Sequence, residues 1–307
     1  MARPNLMNLA FKSRAVWTLR SALVLTALTL VALSVPALAA DPDIAVISNN
    51  ARVNYNPTFD RGFKLLYDLQ FDSAHEVFAT WEQAHPDDPL APACDAAGFL
   101  FAEFQRLGVL EAQFYENDKV FDSRKKQSPD PVIRDQFDAT LTKAETLARA
   151  RLARNPKDPD ALFAMTLSSG LRADYAALIE KRNMASLGYT KDATNWAQQL
   201  LAVDPNCYDA RLATGISKYI VGSMSAPVRW LLRVGGVAGD KQGGIEELQL
   251  AADRGHYLAP FARILLAIAY VREKDKAQAR TLLTALRDEF PKNTLFPLEI
   301  ARLDAGQ

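Results

Sequence analysis

One spacing recurs along this chain and restricts what it can fold into. Gly62 is followed by Ala74, Phe78 and Pro86, and Ala267 by Ala279, Leu283 and Pro291, in both cases at intervals of 12, 4 and 8 residues. Between these two series, Ala144 precedes Pro156 by 12, and Ala193 and Ala197 precede Pro205 by 12 and 8. A fixed period of this kind marks small supersecondary units that bury their apolar faces only by stacking on one another. The residue types follow a steric logic. A small residue in a first helix and another early in a second let the two backbones approach closely. A bulky apolar residue one turn later fills the gap to the next unit. Proline ends the second helix, because it lacks an N–H and disfavours helix at the residue before it. The text at each stop also repeats: His85-Pro86-Asp87-Asp88, Asn155-Pro156-Lys157-Asp158, Asp204-Pro205-Asn206 and Phe290-Pro291-Lys292-Asn293. Each copy supplies Asp or Asn where the next helix begins, so these acids are assigned as caps for free N–H groups. A calcium loop would need six or more converging oxygens.

The 3.6-residue period and these stops predict helices over 57–69, 72–85, 90–116, 131–154, 159–183, 189–202, 207–221, 241–253, 259–273, 276–289 and 294–304. Strand signals are absent. Residues 41–56 are polar and aperiodic and read as a flexible leader. Residues 117–131, with Arg124-Lys125-Lys126, read as an exposed loop. Spacing and stops together resemble the tetratricopeptide repeat, a helix–turn–helix unit of about 34 residues ending in Pro. The resemblance implies an all-α domain over 57–307, with antiparallel helix pairs stacked as a right-handed superhelix whose first helices line a concave groove. Carried onto this chain, the groove positions are Phe59, Phe63, Leu66 and Tyr67, then Leu212, Ile216 and Tyr219, then Ile264, Ile268, Val271 and Arg272. Of these, Phe63, Tyr67, Tyr219 and Arg272 are the binding candidates. The Lys/Asn clamp of chaperone-tail-binding members is missing, so capture of a C-terminal carboxylate is not expected. Phe99, Phe101 and Phe104, spaced for one helix, are assigned to the core.

The segment Gly222–Gly244 departs from the repeat. Its glycines do not make a phosphate loop, because Asp240 precedes Lys241 and Gln242 occupies the hydroxyl position. Within it, Val228-Arg229-Trp230-Leu231-Leu232-Arg233-Val234 is a short apolar stretch carrying two Arg. It reads as packing between two units or as a docking element for a partner or a membrane surface, with Trp230 and Leu231 as anchors. The run from Gly215 through Pro227, Gly235-Gly236, Gly239-Asp240-Lys241 and Gly244 is also similar to the eukaryotic inclusion-body-clearance and type-thirty-nine tetratricopeptide proteins, over roughly residues 160–305. That second resemblance implies a repeat scaffold linked to protein or lipid handling and no catalysis.

The first forty residues carry Arg3, Lys12, Arg14 and Arg20, an apolar run from Ala22 to Val35, and Ala37-x-Ala39, the form of a Sec-type signal peptide. Without them the chain holds 32 Lys and Arg against 36 Asp and Glu. A mildly acidic product argues against nucleic acid as a partner, which needs a basic face. Cys94 and Cys207 lie 113 residues apart and are expected as two buried free thiols, with a single bridge as the alternative. The His residues at 75, 85 and 256 show no ligand spacing, and no Gly-x-Ser-x-Gly elbow occurs. These readings converge on an expectation: an exported, non-catalytic scaffold in the bacterial envelope or periplasm, with a protein or peptide partner, no metal and no cofactor. The alternative is a carrier or sensor of an apolar small molecule or lipid held within the superhelix, with 222–244 as its gate.

Overall fold

Helix starts follow the caps. The computed structural model describes residues 52–112, 128–224, 226, 229–230 and 239–305. Helix α1 (Pro57–Tyr67) opens on Asn56, whose side chain accepts from the Thr58 amide. Helix α5 (Pro131–Arg154) opens on Asp130 and α6 (Pro159–Asp174) on Asp158, each with proline in the first turn. Asp240 caps α9 (Lys241–Arg254) and Asp275 caps α11 (Lys276–Glu289) in the same way. The remaining helices are α2 (Phe71–Ala84), α3 (Leu90–Arg106), the short α4 (Val109–Ala112), α7 (Asn183–Val203), α8 (Ala210–Ser223), α10 (Ala259–Arg272) and α12 (Leu295–Asp304). No strand occurs among the described residues.

These helices pack in sequence as adjacent antiparallel pairs. Each long helix touches the next, and first helices of successive pairs also meet, α1 with α3, α3 with α6 and α6 with α8. The repeated positions lie between helices. Ala74, Ala144, Ala197, Ala267, Ala279 and Leu283 are fully buried. At Gly62 the closeness is quantitative: a Cβ there would stand 2.3 Å from Cε1 of Phe78, so α1 and α2 are as close as glycine permits. The turns inside the first and last such pairs are built alike. Leu69 (φ 58°) and Lys274 (φ 63°) are left-handed, and the next amide reaches back five residues, Gln70 to Leu65 O and Asp275 to Tyr270 O. That is the Schellman closure, which satisfies carbonyls a helix end leaves unpaired.

The two ends of the array meet. The Asn293 side-chain amide donates to Tyr67 O at 2.7 Å, and the Lys292 amide donates to Asp68 Oδ1 at 3.1 Å. The Tyr67 ring lies 5.3 Å from Phe290, and its hydroxyl donates to Tyr257 O at 2.8 Å. Phe63 stacks on Tyr257 at 4.8 Å, and α12 touches α4. Helix α1 therefore lies across the loops that precede α10 and α12. Residues 53–56, the last of the polar leader, are tied down with it. The Val53, Asn54 and Asn56 amides donate to Asp204, Asp160 and the Tyr257 hydroxyl respectively, and Val53 is buried.

Three helix boundaries differ from expectation. Helix α3 stops at Arg106, where Gly108 takes a left-handed φ of 64°, and does not run on to 116. Helix α6 passes into one π turn, Tyr175–Ile179, and left-handed Lys181 (φ 56°) then reverses the chain. Helix α7 consequently starts at Asn183, inside the stretch expected to separate two helices. The glycine-rich segment is pinned at its base. A Cβ on Gly244 would meet the Tyr219 amide nitrogen at 2.5 Å, and one on Gly239 the Gly222 nitrogen at 2.5 Å, so α8 and α9 cross backbone to backbone. Arg229 Nη1 donates to the carbonyls of Gly222 and Met224. The signal-like residues 1–40, residues 117–127 of the expected loop and Leu231 lie outside the described residues. No described helix is long and apolar enough to cross a membrane.

Candidate functional site

Because the ends meet, the first helices face one another around a cavity of about 280 Å³. Its wall is drawn from α1, α3, α4, α6 and the π turn after it, α8, α10 and α12, with the first half of α7; the described residues of α2, α5, α9 and α11 contribute nothing. Each inner helix presents an apolar stripe at helical spacing: Phe63, Leu66 and Tyr67 on α1, Phe101 and Phe104 on α3, Leu212, Ile216 and Ile220 on α8, and Phe261, Ile264 and Leu265 on α10. Phe101 and Phe261 meet edge to face at 5.6 Å, joining α3 to α10. Ile220 lines the cavity yet is 43% exposed, which puts the opening at the α8 end that leads into the glycine-rich segment.

Two carboxylates interrupt this apolar wall. Asp209 is 1% exposed and accepts from the amides of His256, Tyr257 and Leu258 at 2.8, 3.2 and 2.9 Å. It holds the loop entering α10, where free amides and the helix dipole favour an anion. Burial pushes its carboxyl up, and those three amides pull it back. Asp174 is different. It falls in phase with Leu167, Gly170, Leu171 and Leu178 on the cavity stripe of α6. No described residue gives it a hydrogen bond or an ion pair, and desolvation in the apolar wall pushes its carboxyl up to about 7. Among the described residues that form the wall there is no Lys, Arg or His.

The sequence candidates fall into two groups. Phe63, Leu66, Tyr67, Leu212, Ile216 and Ile264 line the cavity. Phe59, Tyr219, Ile268 and Val271 are buried in helix–helix contacts away from it. Tyr219 is held at the α8–α9 crossing beside Gly244. Arg272 lies exposed at the end of α10, and Trp230 is 69% exposed on the pinned segment. Of the phenylalanines assigned to the core, Phe101 and Phe104 face the cavity while Phe99 packs on His75 with ring centres 4.1 Å apart. Asp174 was legible in principle, as an acid in phase with leucines on an apolar stripe. Phe261 and Phe296 complete the wall only because the array closes, which no local pattern announces.

Other reactive side chains are spoken for. His75 pairs with Asp95 and His256 with Asp60, both at 2.6 Å, while His85 stacks on Trp81. Cys94 and Cys207 are buried free thiols, and burial first of all raises both well above the ordinary thiol range. Among the described residues no group of three or more His, Cys, Asp and Glu could hold a metal ion. No protein-family model, curated protein or solved structure matches this chain.

Proposed function

We propose that this chain binds a small apolar molecule in the cavity its helices enclose, acting as a carrier or sensor, not as a catalyst. One observation carries the reading: the stripes that would line an open peptide groove face one another around a space of about 280 Å³. An apolar space of roughly 150 Å³ already accepts a benzene ring, and an empty one forfeits dispersion contacts along its whole wall. Packing alone would favour larger side chains at Gly170, Ala97 and Ala213, which line it. In this reading the fold is a tetratricopeptide-like solenoid closed on itself, exported by residues 1–40 to the bacterial envelope. Native mass spectrometry of the chain purified from its own cells tests the proposal. A stoichiometric small molecule is the expected result, and a clean unliganded mass together with no uptake of apolar probes refutes it.

A second reading, an interaction scaffold, draws on Trp230. A tryptophan 69% exposed on a pinned base is the kind of anchor interfaces use. Changing Trp230 and Leu231 to Ser abolishes partner or membrane association in that reading without affecting folding.

A further inference from the structure

The cavity's polarity says what kind of molecule it suits. Its wall is apolar except at a few atoms, and nearly all of these are already committed. Thr166 Oγ1 donates to Leu162 O, and Thr190 Oγ1 donates to Ser186 O, each at 2.9 Å. Asn293 donates to Tyr67 O and accepts from the Leu295 amide, and Asp209 accepts from three amides. Asp174 alone offers a carboxyl with no protein partner among the described residues.

We propose that the occupant is a single-bodied amphiphile carrying a protonated amine, with its apolar body against the inner stripes and its ammonium paired with the Asp174 carboxylate. This rests on the reading of the cavity as a binding site and adds the ligand's class. Charge complementarity supports it, since the described residues of the wall include two carboxylates and no cation. The carboxylate of a fatty acid or the phosphate of a phospholipid would enter unpaired and face Asp174, and an uncompensated buried charge is strongly disfavoured. A charge-assisted hydrogen bond in such a site is among the stronger polar contacts available.

The pairing sets a pH dependence. Unliganded, Asp174 titrates at about 7 because of burial, so it is largely neutral at pH 5.5 and ionised at pH 8. Among the described residues the other titratable groups on the wall are Asp209 and Tyr67; the wall residues that α3, α7 and α8 place against α6 are all non-ionisable, and α5 places none there. Alkylamines stay protonated across this range, like lysine. Amine affinity therefore rises with pH between 5.5 and 8.

The test uses the whole chain without its leader, with the fluorophore N-phenylnaphthylamine as reporter and octylamine, octanol and octanoate as competitors. At pH 8 octylamine is expected to displace the reporter at roughly a tenth of the octanol concentration or less, with octanoate weakest. That advantage shrinks at pH 5.5. In D174N the ratio of octylamine to octanol displacement loses both the amine preference and its pH dependence. Equal displacement by octylamine and octanol at pH 8 overturns the proposal while leaving the cavity reading intact, and so does an amine preference that survives in D174N. If the reporter does not bind at all, the cavity reading fails and takes this one with it. The wild-type pH series alone decides between these outcomes should D174N not fold.

Discussion

Asn293 is the residue whose removal measures how firmly the ends of the array hold each other. It is 5% exposed and makes two hydrogen bonds, donating to Tyr67 O at 2.7 Å and accepting from the Leu295 amide at 2.9 Å. The first joins the first helix pair to the last, and the second caps α12. Each bond contributes about 0.5–1.5 kcal/mol net, and truncation leaves a buried carbonyl and a buried amide without partners, so the upper part of that range applies. Asn293→Ala should therefore cost about 2–3 kcal/mol, which lowers Tm by about 4–12 °C for a domain of this size. Asp275→Ala is the reference, because it removes only an exposed cap bond to the Gln278 amide and should cost about 1 kcal/mol. Asn293→Asp separates the two roles: it keeps the acceptor for Leu295 but turns a carboxylate toward the Tyr67 carbonyl, and should be at least as damaging as alanine. Urea and thermal melts of the three variants at pH 7 supply the numbers. If Asn293→Ala costs no more than Asp275→Ala and Asn293→Asp is neutral, the first and last pairs are not in contact in solution.

Two further outcomes follow from the same geometry. Gly244→Ala places a Cβ 2.5 Å from the Tyr219 amide nitrogen, where only backbone could yield, so it should destabilise by about 1–3 kcal/mol. Gly170→Ala, whose Cβ meets nothing within 4 Å, should stabilise by about 0.5–1 kcal/mol through helix propensity; denaturant midpoints of the pair report the contrast. Asp174 makes stability pH-dependent in a fixed direction. Its folded carboxyl is raised from 3.8 to about 7, so its contribution is fully present below pH 4 and is lost as pH rises through 7. At about 1.4 kcal/mol per unit, and allowing for cavity water, Asp174→Asn should be about 2–4 kcal/mol more stable than wild type at pH 8 and equal to it at pH 4. Melts across that range would show it, and equal stability at both ends would contradict the desolvation argument.

Much of the architecture was legible because its signals are local. Pro86, Pro156, Pro205 and Pro291 stop helices by their own covalent structure. Asp130, Asp158 and Asp240 mark starts by reaching their own neighbours' amides. Gly62, Ala74 and Phe78 declare a close crossing through size alone. The differences arose where backbone geometry had no residue-type signature: the π turn at Tyr175–Ile179 and the left-handed Lys181 carry no Gly or Pro. Gly108 is a signal by residue type alone, since glycine readily takes the positive φ that follows the end of the helix from Leu90. The candidate site was half legible. Phe63, Tyr67, Leu212 and Ile264 follow from helical phase, but whether they face solvent or one another depends on contacts such as Tyr67 with Asn293, 226 residues apart in the chain. Tyr219 and Arg272 share that phase with groove residues and still lie off the wall, since α8 turns Tyr219 toward Gly244. Asp174 stands out by its phase with Leu167, Leu171 and Leu178, but that its carboxyl meets no partner depends on neighbours in space.

Gly170→Phe bears most directly on whether the enclosed space is a binding site. Gly170 lines the wall with nothing within 4 Å of its Cβ direction, so a benzyl group there occupies the volume a ligand would take. The variant should melt no lower than wild type, because it fills a void and replaces a helical glycine. Its affinity for N-phenylnaphthylamine should fall more than tenfold. Saturable binding of that fluorophore with unchanged affinity in a folded Gly170→Phe chain would contradict the account.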